Sequence, residues 1–225
     1  MKRTLIVLAC TMGLAAAQVQ AEELKLDDDG KKLSYTLGFQ IAQNLARQGM
    51  SLDAEATSRA VHDVFSGAKP LLTAEEMQAV VTRVQEVALE QRKKMAEANQ
   101  KAGDAFLAEN KGKEGVKTLD SGLQYKVVKA GTGKSPGAKD EVEVHYEGRF
   151  TNGKVFDSSI ERGESVSFAV DKVVSGWTEA LQLMKEGARW EIYIPSNLAY
   201  GEKGAGNAIG PNETLVFDVQ LLKVK

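Results

Sequence analysis

The stretch EVEVHYEGRFTNGKVFDSS, residues 141–159, predicts the fold more directly than any other part of the chain. In its first half Val142, Val144 and Tyr146 alternate with polar residues, which is the two-residue period of a strand with one buried face. The next four residues, TNGK at 151–154, contain the Asn-Gly pair that is typical of a β-hairpin. The stretch therefore predicts two antiparallel strands joined by a tight turn.

Just past this turn a carboxylate, Asp157, directly follows Phe156. Three interpretations are open for such a residue. It is a catalytic acid, an Asx-type turn residue that caps Ser158 and Ser159, or a polar group set on an apolar wall for another purpose. The spacing of the residues does not decide among the three.

Other segments in the second half of the chain share the two-residue period, and one short helix interrupts them. Strands are predicted within 123–128, 165–170, 188–195 and 214–225, and the helix within 176–187. Runs of strands with one helix predict an α+β fold, in which an antiparallel sheet wraps on a short helix.

The first half of the chain, from Lys31 to about Asn110, has helical spacing instead. The segment 31–49 carries two adjacent apolar stripes, so one neighbouring helix could not cover both. A second helix is predicted to begin at an Asp53 N-cap and to run to Phe65. Dimerisation through the first helices would cover the remaining stripe.

A third, long helix is predicted from Thr73 to Asn110, where Thr73 and Glu76 fit a capping box. If continuous, it would reach about 57 Å. Its apolar spacing weakens after Val87, so we expect the first part to pack and the rest to form an exposed stalk between two modules. A bent helix, or one that frays near Gly103, is the alternative.

The glycine- and lysine-rich segment ENKGKEGVKT, residues 109–118, predicts a linker. The resulting domain organisation has four parts: a signal peptide at 1–21, a helical dimerisation domain with the stalk helix at 22–110, a linker at 111–120 and the α+β domain at 121–225.

The first 21 residues have the pattern of a secretory signal peptide. Lys2 and Arg3 precede an apolar run that is too short to span ~30 Å of hydrocarbon, and small residues before position 22 offer a cleavage site. Cleavage would remove the single cysteine, Cys10, and the loss of two positive charges would change the formal net charge from −2 to −4. We therefore expect a periplasmic protein without disulfides, and leave open whether it associates with the outer membrane.

Several kinds of chemistry lack their usual residues. His62 and His145 lie 83 positions apart with no cysteine nearby, which argues against a metal site. Cysteine nucleophiles are absent after cleavage, and no Gly-x-Ser-x-Gly motif occurs. Because no run of five like charges occurs either, nucleic-acid binding is not expected. The sequence thus predicts no metal, no cofactor and no nucleic acid.

Aromatic and branched apolar residues are concentrated where polar catalytic residues would be expected. They are Tyr146, Phe156, Val173, Val174, Trp177, Tyr200, Ile209 and Phe217. Each could simply belong to the core. Three positions favour a site, because Trp177 begins a helix directly after Gly176, and Tyr200 and Ile209 lie on the glycine-rich loop at 197–211.

At this point the chain resembles the FKBP-type peptidyl-prolyl isomerases. The resemblance covers about residues 121–225 and rests on VHYEG, VFDSS, VVSGWTEAL, LAYGEKG and TLVFDVQLL, in that order. The signal peptide, the helical first half and the long stalk are similar to the macrophage-infectivity-potentiator-like subfamily, which implies a dimeric secreted isomerase.

The resemblance implies an apolar pocket that isomerises X–Pro bonds without a nucleophile, metal or cofactor. It assigns catalytic roles to Asp157, Tyr200 and Trp177. The substrate-binding residues would be Tyr146, Phe156, Val173, Val174, Ile209 and Phe217. Implied partners are proline-containing unfolded polypeptides, a second copy bound through the N-terminal helices, and macrolide inhibitors of the FK506 and rapamycin type.

Two departures from the family pattern concern the outer wall of this pocket. The family often has an aromatic residue at the position of Val166, and the loop between Phe168 and Val173 is shorter than in the smallest members.

Two functions of other classes are compatible with the same residues. One is a dimeric chaperone that holds unfolded clients with little turnover, since two pockets on long stalks would suit that purpose. The other is a structural dimer with a degenerate isomerase domain, which the nearly complete set of aromatic residues argues against.

Overall fold

The computed structural model describes residues 24–225, so the predicted signal peptide at 1–21 lies outside the described residues. The helices are α1 (Asp29–Arg47), α2 (Ala54–Ser66), α3 (Ala74–Asn110) and α4 (Ser175–Leu183). The strands are β1 (Val116–Thr118), β2 (Gln124–Lys129), β3 (Glu141–Phe150), β4 (Val155–Ser158), β5 (Val166–Ala169), β6 (Arg189–Ile194) and β7 (Leu215–Val224). The predicted α+β fold is confirmed.

The chain divides into two compact units, with the boundary between His62 and Asp63. In the first unit, α1 begins where the carboxylate of Asp28 accepts a hydrogen bond from the backbone N–H of Lys31, at 2.8 Å. Asp53 caps α2 in the same way, as predicted, and accepts from Ala56 N at 2.7 Å.

The large apolar side chains along α1 remain exposed to solvent in the single chain. Leu33, Tyr35, Leu37, Phe39 and Ile41 are each at least half exposed. An apolar surface of this kind on a small unit is typical of an interface with another protein.

In the second unit, α3 is one unbroken helix of 37 residues. Thr73 and Glu76 form the predicted capping box, in which each side chain accepts a hydrogen bond from the other residue's backbone N–H. The fraying considered near Gly103 does not occur, since the helix continues past it to Asn110.

The C-terminal half of α3, predicted to be an exposed stalk, packs one face on the sheet domain, while most of its other side chains are exposed. Gly103 is buried beside Thr214, the residue that precedes β7. A β-carbon added to Gly103 would lie 2.2 Å from Thr214 Oγ1. Nearer the end of the helix, Asn110 is buried and donates to Gln124 Oε1 at 3.0 Å. Phe106 adds an apolar contact, since its ring lies 6.0 Å from that of Tyr193 on β6, but glycine and polar side chains make up much of this face, so apolar spacing did not reveal it.

The predicted linker at 111–120 is also partly structured, because β1 lies within it and pairs antiparallel with β2. The linker therefore supplies the first strand of the sheet, and the connection from α3 to the sheet is only a few residues long. Its glycine content reflects turn geometry, with Gly115 at φ +80°.

The strands form one antiparallel sheet in the order β1-β2-β6-β7-β3-β4, and β5 pairs with β3 beside β4. The last strand, β7, lies between β6 and β3 and pairs with both over most of its length. In β3 the predicted alternation is confirmed, since Val142, Val144 and Tyr146 are buried.

The predicted hairpin joins β3 to β4, and Gly153 at φ +86° lets the turn close. The hydrophobic core lies between the sheet and α4. From α4 and its C-cap the core includes Leu181 and Met184, which are at most 1% exposed. Trp177, at the other end of α4, faces a cavity described below.

Candidate active site

An open cavity of about 470 Å³ lies at the end of α4 that carries Trp177. Its lining residues are Tyr146, Phe156, Asp157, Phe168, Lys172, Val173, Val174, Trp177, Tyr200 and Phe217. They come from β3, β4, β5, β7, α4 and two connecting segments, so the folded sheet is needed to bring them together.

The indole of Trp177 is the centre of the aromatic lining. It meets Tyr146 and Phe217 edge to face, with ring centroids 5.5 and 5.3 Å away, and Phe168 at 5.9 Å. Such edge-to-face contacts are favourable geometries for aromatic rings. The side chain is only 4% exposed, which gives the cavity a rigid apolar base.

A glycine before this tryptophan brings α4 close to the sheet. A β-carbon on Gly176 would lie 2.5 Å from Ile194 Cγ2 of β6. Since no larger residue fits between the helix and the strand, Gly176 determines how deep the Trp177 indole lies.

A second glycine makes room for the walls. Gly148 on β3 pairs with Asp157 of β4 on one side and with Phe217 of β7 on the other. A β-carbon there would lie 2.7 Å from both Phe156 Cζ and Phe217 Cε1. The two rings use this space to meet edge to face, with centroids 5.6 Å apart.

The polar side of the cavity is a group of three side chains. The hydroxyl of Tyr146 donates to Asp157 Oδ2 at 2.5 Å, and Arg162 forms an ion pair with Asp157 Oδ1. Arg162 also donates to the Tyr146 hydroxyl at 3.2 Å. Asp157 is thus held from two directions, with its carboxylate at the rim of an aromatic cavity.

These contacts shift the ionisation of all three groups. Burial would raise the pKa of Asp157, but the hydrogen bonds from Tyr146 and Arg162 and the charge of Arg162 outweigh it and lower that pKa. Burial, followed by the bond to Asp157, raises the pKa of Tyr146. The bond to Asp157 raises the pKa of Arg162. Asp157 is therefore an anion at neutral pH, and the phenol keeps its proton.

The three interpretations of Asp157 can now be compared with its contacts. The backbone N–H of Ser158 contributes to the lowered pKa of Asp157, which is compatible with the turn interpretation. Ser158 and Ser159 have other partners as well, since Glu161 N donates to Ser158 Oγ and Ser159 N donates to Tyr146 O. A lowered pKa makes Asp157 a poor proton donor, which argues against a catalytic acid.

Tyr200 reaches the cavity from the loop between β6 and β7 and is 40% exposed. It precedes a short 3-10 turn, Gly201–Lys203. The loop is tightly built, since Ala205 and Ile209 exchange both backbone hydrogen bonds and Asn212 N donates to Gly201 O at 2.9 Å.

One predicted substrate-binding residue, Ile209, does not line the cavity. Its side chain is 8% exposed and belongs to the core cluster beneath the loop. At Gly204, with φ +60°, a β-carbon would lie 2.3 Å from Ile209 O, so the loop folds back tightly at this point. Ile209 lies beneath the loop that carries Tyr200, and its contact with substrate stays a prediction.

Three residues of the site were not among the predicted ones. Phe168 and Lys172 line the cavity, and Arg162 holds Asp157. Phe168 had a signal, because it is the aromatic residue of the alternating segment at 165–170. Arg162 had none, because it lies five residues past Asp157 in a turn where a lone arginine is ordinary.

The structure shows where the two departures from the family pattern lie, Val166 and the short loop between Phe168 and Val173. Val166 pairs with Val144 across β5 and β3 and packs on the core, outside the cavity lining. Phe168, two residues on, supplies an aromatic ring to the wall instead. The short segment before Val173 forms a 3-10 turn, Val170–Lys172, from which Lys172 reaches the cavity rim.

Comparison with known proteins gives consistent results for both halves of the chain. Residues 132–222 match the family model of the FKBP-type peptidyl-prolyl cis-trans isomerases. Residues 30–127 match the model of the domain amino terminal to FKBP-type peptidyl-prolyl isomerase.

Individual relatives match over nearly the whole length. The "Outer membrane protein MIP" of Legionella longbeachae is 43% identical over 98% of this chain and 97% of its own. The "Peptidyl-prolyl cis-trans isomerase Mip" of Coxiella burnetii is 43% identical over 100% of this chain and 99% of its own. The crystal structure of FkpA from Escherichia coli, at 37% identity, covers 89% of this chain and 99% of its own with a TM-score of 0.65.

The family predicted from the five motifs is confirmed, in both its isomerase domain and its helical first half. The chain belongs to the FKBP-type peptidyl-prolyl cis-trans isomerases, and within them to the group that contains Mip and FkpA.

Proposed function

We propose that this protein accelerates the cis–trans isomerisation of X–Pro bonds in unfolded or partly folded polypeptides, and that the cavity over Trp177 is where it does so. The observation that carries the proposal is an anionic carboxylate, Asp157, held at the rim of a cavity whose base and walls are aromatic. Family membership supports the same reaction.

An apolar cavity can catalyse this reaction because of the electronic structure of the amide. Rotation about the C–N bond costs about 18–20 kcal/mol, since it removes the resonance that makes the bond stiff. The twisted amide has less charge separation than the planar one and depends less on water. A dry cavity therefore stabilises the transition state relative to the hydrated ground state.

We assign binding of the prolyl ring to the aromatic lining. The ring would lie on the Trp177 indole, between Tyr146, Phe156 and Phe217, which the edge-to-face contacts hold in place. Val173 and Val174 would complete the wall on the side of α4. This arrangement fixes the proline while leaving the preceding residue free to rotate.

Polar groups at the rim would hold the flanking backbone. The Tyr200 hydroxyl would donate to a substrate carbonyl, and the backbone N–H of Val174, at the N-terminus of α4, would donate to another. Asp157 would set the polarity that the rotating carbonyl meets, without transferring a proton. Arg162 would keep Asp157 charged and oriented.

We also propose that two copies associate through α1 and α2. An apolar groove of about 820 Å³ runs within the first unit and includes Tyr35, Phe39, Ile41, Leu45 and Val61. A second copy would bury these exposed side chains, and a symmetric dimer needs only one such surface per chain. Holding of unfolded clients on exposed apolar surface is a second candidate activity of the dimer.

For the location, we propose the periplasm, reached through the predicted signal peptide at 1–21. The relative from Legionella longbeachae is named an outer membrane protein. Among residues 24–225, no helix combines the length and the apolar character needed to cross a membrane.

Macrolides of the FK506 and rapamycin type are proposed as inhibitors, because their apolar rings would compete for the aromatic cavity.

The first experiment measures isomerisation of a short X–Pro peptide by residues 22–225, beside the Asp157→Ala and Tyr200→Phe variants. We expect fast turnover in the parent protein and a clear loss in Asp157→Ala. A folded parent that is no faster than buffer would contradict the isomerase. If such a parent still suppresses aggregation of an unfolded client, holding is the function.

A further inference from the structure

The C-terminal half of α3 touches the loop that carries Tyr200. Its contact residues recur at helical intervals along one face, beginning at Arg92 and continuing through Asn99 and Gly103. This face packs against residues 196–214, which lead from β6 to β7 past Tyr200. The helix that was predicted to be a spacer therefore lies directly behind part of the site.

Arg92 makes the first of these contacts. Its Nη2 donates to Lys203 O at 2.6 Å and to Glu202 O at 3.0 Å. Both carbonyls belong to the 3-10 turn Gly201–Lys203, which begins immediately after Tyr200. A guanidinium that donates to two neighbouring carbonyls makes charge-assisted bonds and fixes the plane of the turn.

Asn99 makes the second contact, on the other side of the loop. Its Nδ2 donates to Pro211 O at 2.8 Å. The following residue, Asn212, donates its backbone N–H to Gly201 O at 2.9 Å. The Asn99 contact is thus connected through a single backbone bond to the same turn that Arg92 holds.

A loop of this composition needs such contacts. It contains three glycines with positive φ, at 201, 204 and 206, which leave the unfolded or loosened loop many alternative conformations. Each alternative conformation moves Tyr200. The contacts from α3 restrict the loop before substrate binds. They therefore reduce the conformational entropy that the loop loses on binding.

We propose that Arg92 and Asn99 are positioning residues of the active site, which act through the 201–203 turn to hold the Tyr200 hydroxyl at the cavity. The inference rests on the proposed isomerase function. It makes α3 part of the catalytic domain's scaffold, and it assigns to two residues of the predicted stalk an effect on turnover.

The test uses residues 22–225 with Arg92→Met, Arg92→Lys and Asn99→Ala, measured for kcat and KM on a short X–Pro peptide. We expect Arg92→Met to lower kcat/KM about three- to tenfold, the range for loss of a charge-assisted hydrogen bond acting on a substrate contact. Arg92→Lys keeps a cationic donor and should recover at least half of the loss. Lys94→Met is the matched control, because the ion pair of Lys94 with Glu90 runs along the helix.

A double variant distinguishes positioning from a general loss of stability. If Arg92 acts through Tyr200, then Arg92→Met should change kcat/KM less than about twofold in a Tyr200→Phe background, because the hydroxyl it positions is already gone. Equal losses in both backgrounds would overturn the inference, and so would full activity of Arg92→Met.

Hydrogen exchange gives a readout that is independent of turnover. Arg92→Met should speed amide exchange within 196–212 and leave β3 and β7 unchanged. Unchanged exchange in the loop would also overturn the inference. A parent protein no faster than buffer would instead refute the proposed function, so the two failures are distinguishable in one set of measurements.

Discussion

The Tyr146 hydroxyl donates to Asp157 Oδ2 at 2.5 Å, and this bond ties the wall of the aromatic cavity to its rim. The two residues lie on adjacent strands, β3 and β4. Arg162 contacts both, so a turn beyond β4 controls how the carboxylate faces the cavity. The relationship explains how a partly buried carboxylate at the cavity rim can have one orientation.

Removal of this carboxylate should slow catalysis without unfolding the protein. We expect Asp157→Ala to lower kcat/KM about tenfold to a hundredfold, in line with the loss of an oriented electrostatic group. Asp157→Asn keeps the shape and removes the charge, so it should fall between the parent and the alanine variant. An alanine variant as active as the parent would show that the rim carboxylate has no part in catalysis.

The pH dependence follows from the lowered pKa of Asp157. An ordinary aspartate has a pKa of about 3.9, so Asp157 stays ionised throughout the range from about pH 5 to 8 and turnover should be flat there. A carboxyl with a lowered folded pKa adds stability above its unfolded pKa, and the contribution is lost as the pH falls through the folded value. Urea unfolding of the parent and of Asp157→Asn should therefore converge only in acid, below about pH 4.

Replacement of Arg162 should change the pH range in which Asp157 is ionised. Without its hydrogen bonds and charge, burial would act more strongly and the pKa of Asp157 would rise. We expect the acid limb of kcat/KM to move to higher pH in Arg162→Met. An identical pH–rate profile in parent and variant would contradict the role assigned to Arg162.

The space at Gly148 should be essential for the cavity. In Gly148→Ala the added carbon would lie 2.7 Å from two rigid rings, so Phe156 and Phe217 must move. We expect a loss of about 1–3 kcal/mol in the free energy of unfolding, as for other overpacked sites, together with weak peptide turnover. Gly137→Ala is the control, since a carbon there has its nearest neighbour at 3.7 Å.

Gly103 offers a test of helix docking in which propensity and packing oppose each other. Alanine in place of a mid-helix glycine should stabilise a free helix by about 1 kcal/mol. On α3 the added carbon would lie 2.2 Å from Thr214 Oγ1, so we expect Gly103→Ala to destabilise the protein instead. Thr214→Ala removes the nearest atom and should restore part of the loss. A more stable Gly103→Ala single variant would show that α3 is not docked in solution.

The apolar surface of α1 should control association. Phe39→Asp places a charge in the groove of the first unit, and analytical ultracentrifugation should then show monomers where the parent forms dimers. Turnover of a short peptide should not change, because the cavity belongs to the other unit. Gln43→Asp, which adds the same charge to α1 outside the groove lining, should remain dimeric.

Much of the fold could be predicted from local patterns. The alternation of Val142, Val144 and Tyr146 placed β3 and its buried face, and the Thr73–Glu76 capping box placed the start of α3. Both signals are local, because each depends on residues a few positions apart. Eight of the nine predicted site residues line the cavity, since the motifs specify the residues and the fold brings them together.

The features that could not be predicted depend on contacts between distant residues. Arg92 and Asn99 donate hydrogen bonds to backbone carbonyls more than a hundred positions away. Every residue has a backbone carbonyl, so no residue type identifies the acceptors. Gly103 suggested fraying, because the sequence does not distinguish a glycine that close packing requires from a glycine that ends a helix. Ile209 lies on the loop of the site but outside the cavity lining, so its contact with substrate stays a prediction.

The position of β7 has a consequence for how the protein is made. This strand follows every other strand in the chain, yet it lies between β6 and β3 at the middle of the sheet. A chain that is synthesised from its N-terminus cannot complete the sheet, or hold Phe217 beside Trp177, until residues 215–224 are available. Pairings between such distant segments form slowly, so the aromatic cavity of this isomerase stays incomplete until β7 has been made and has paired with β3 and β6.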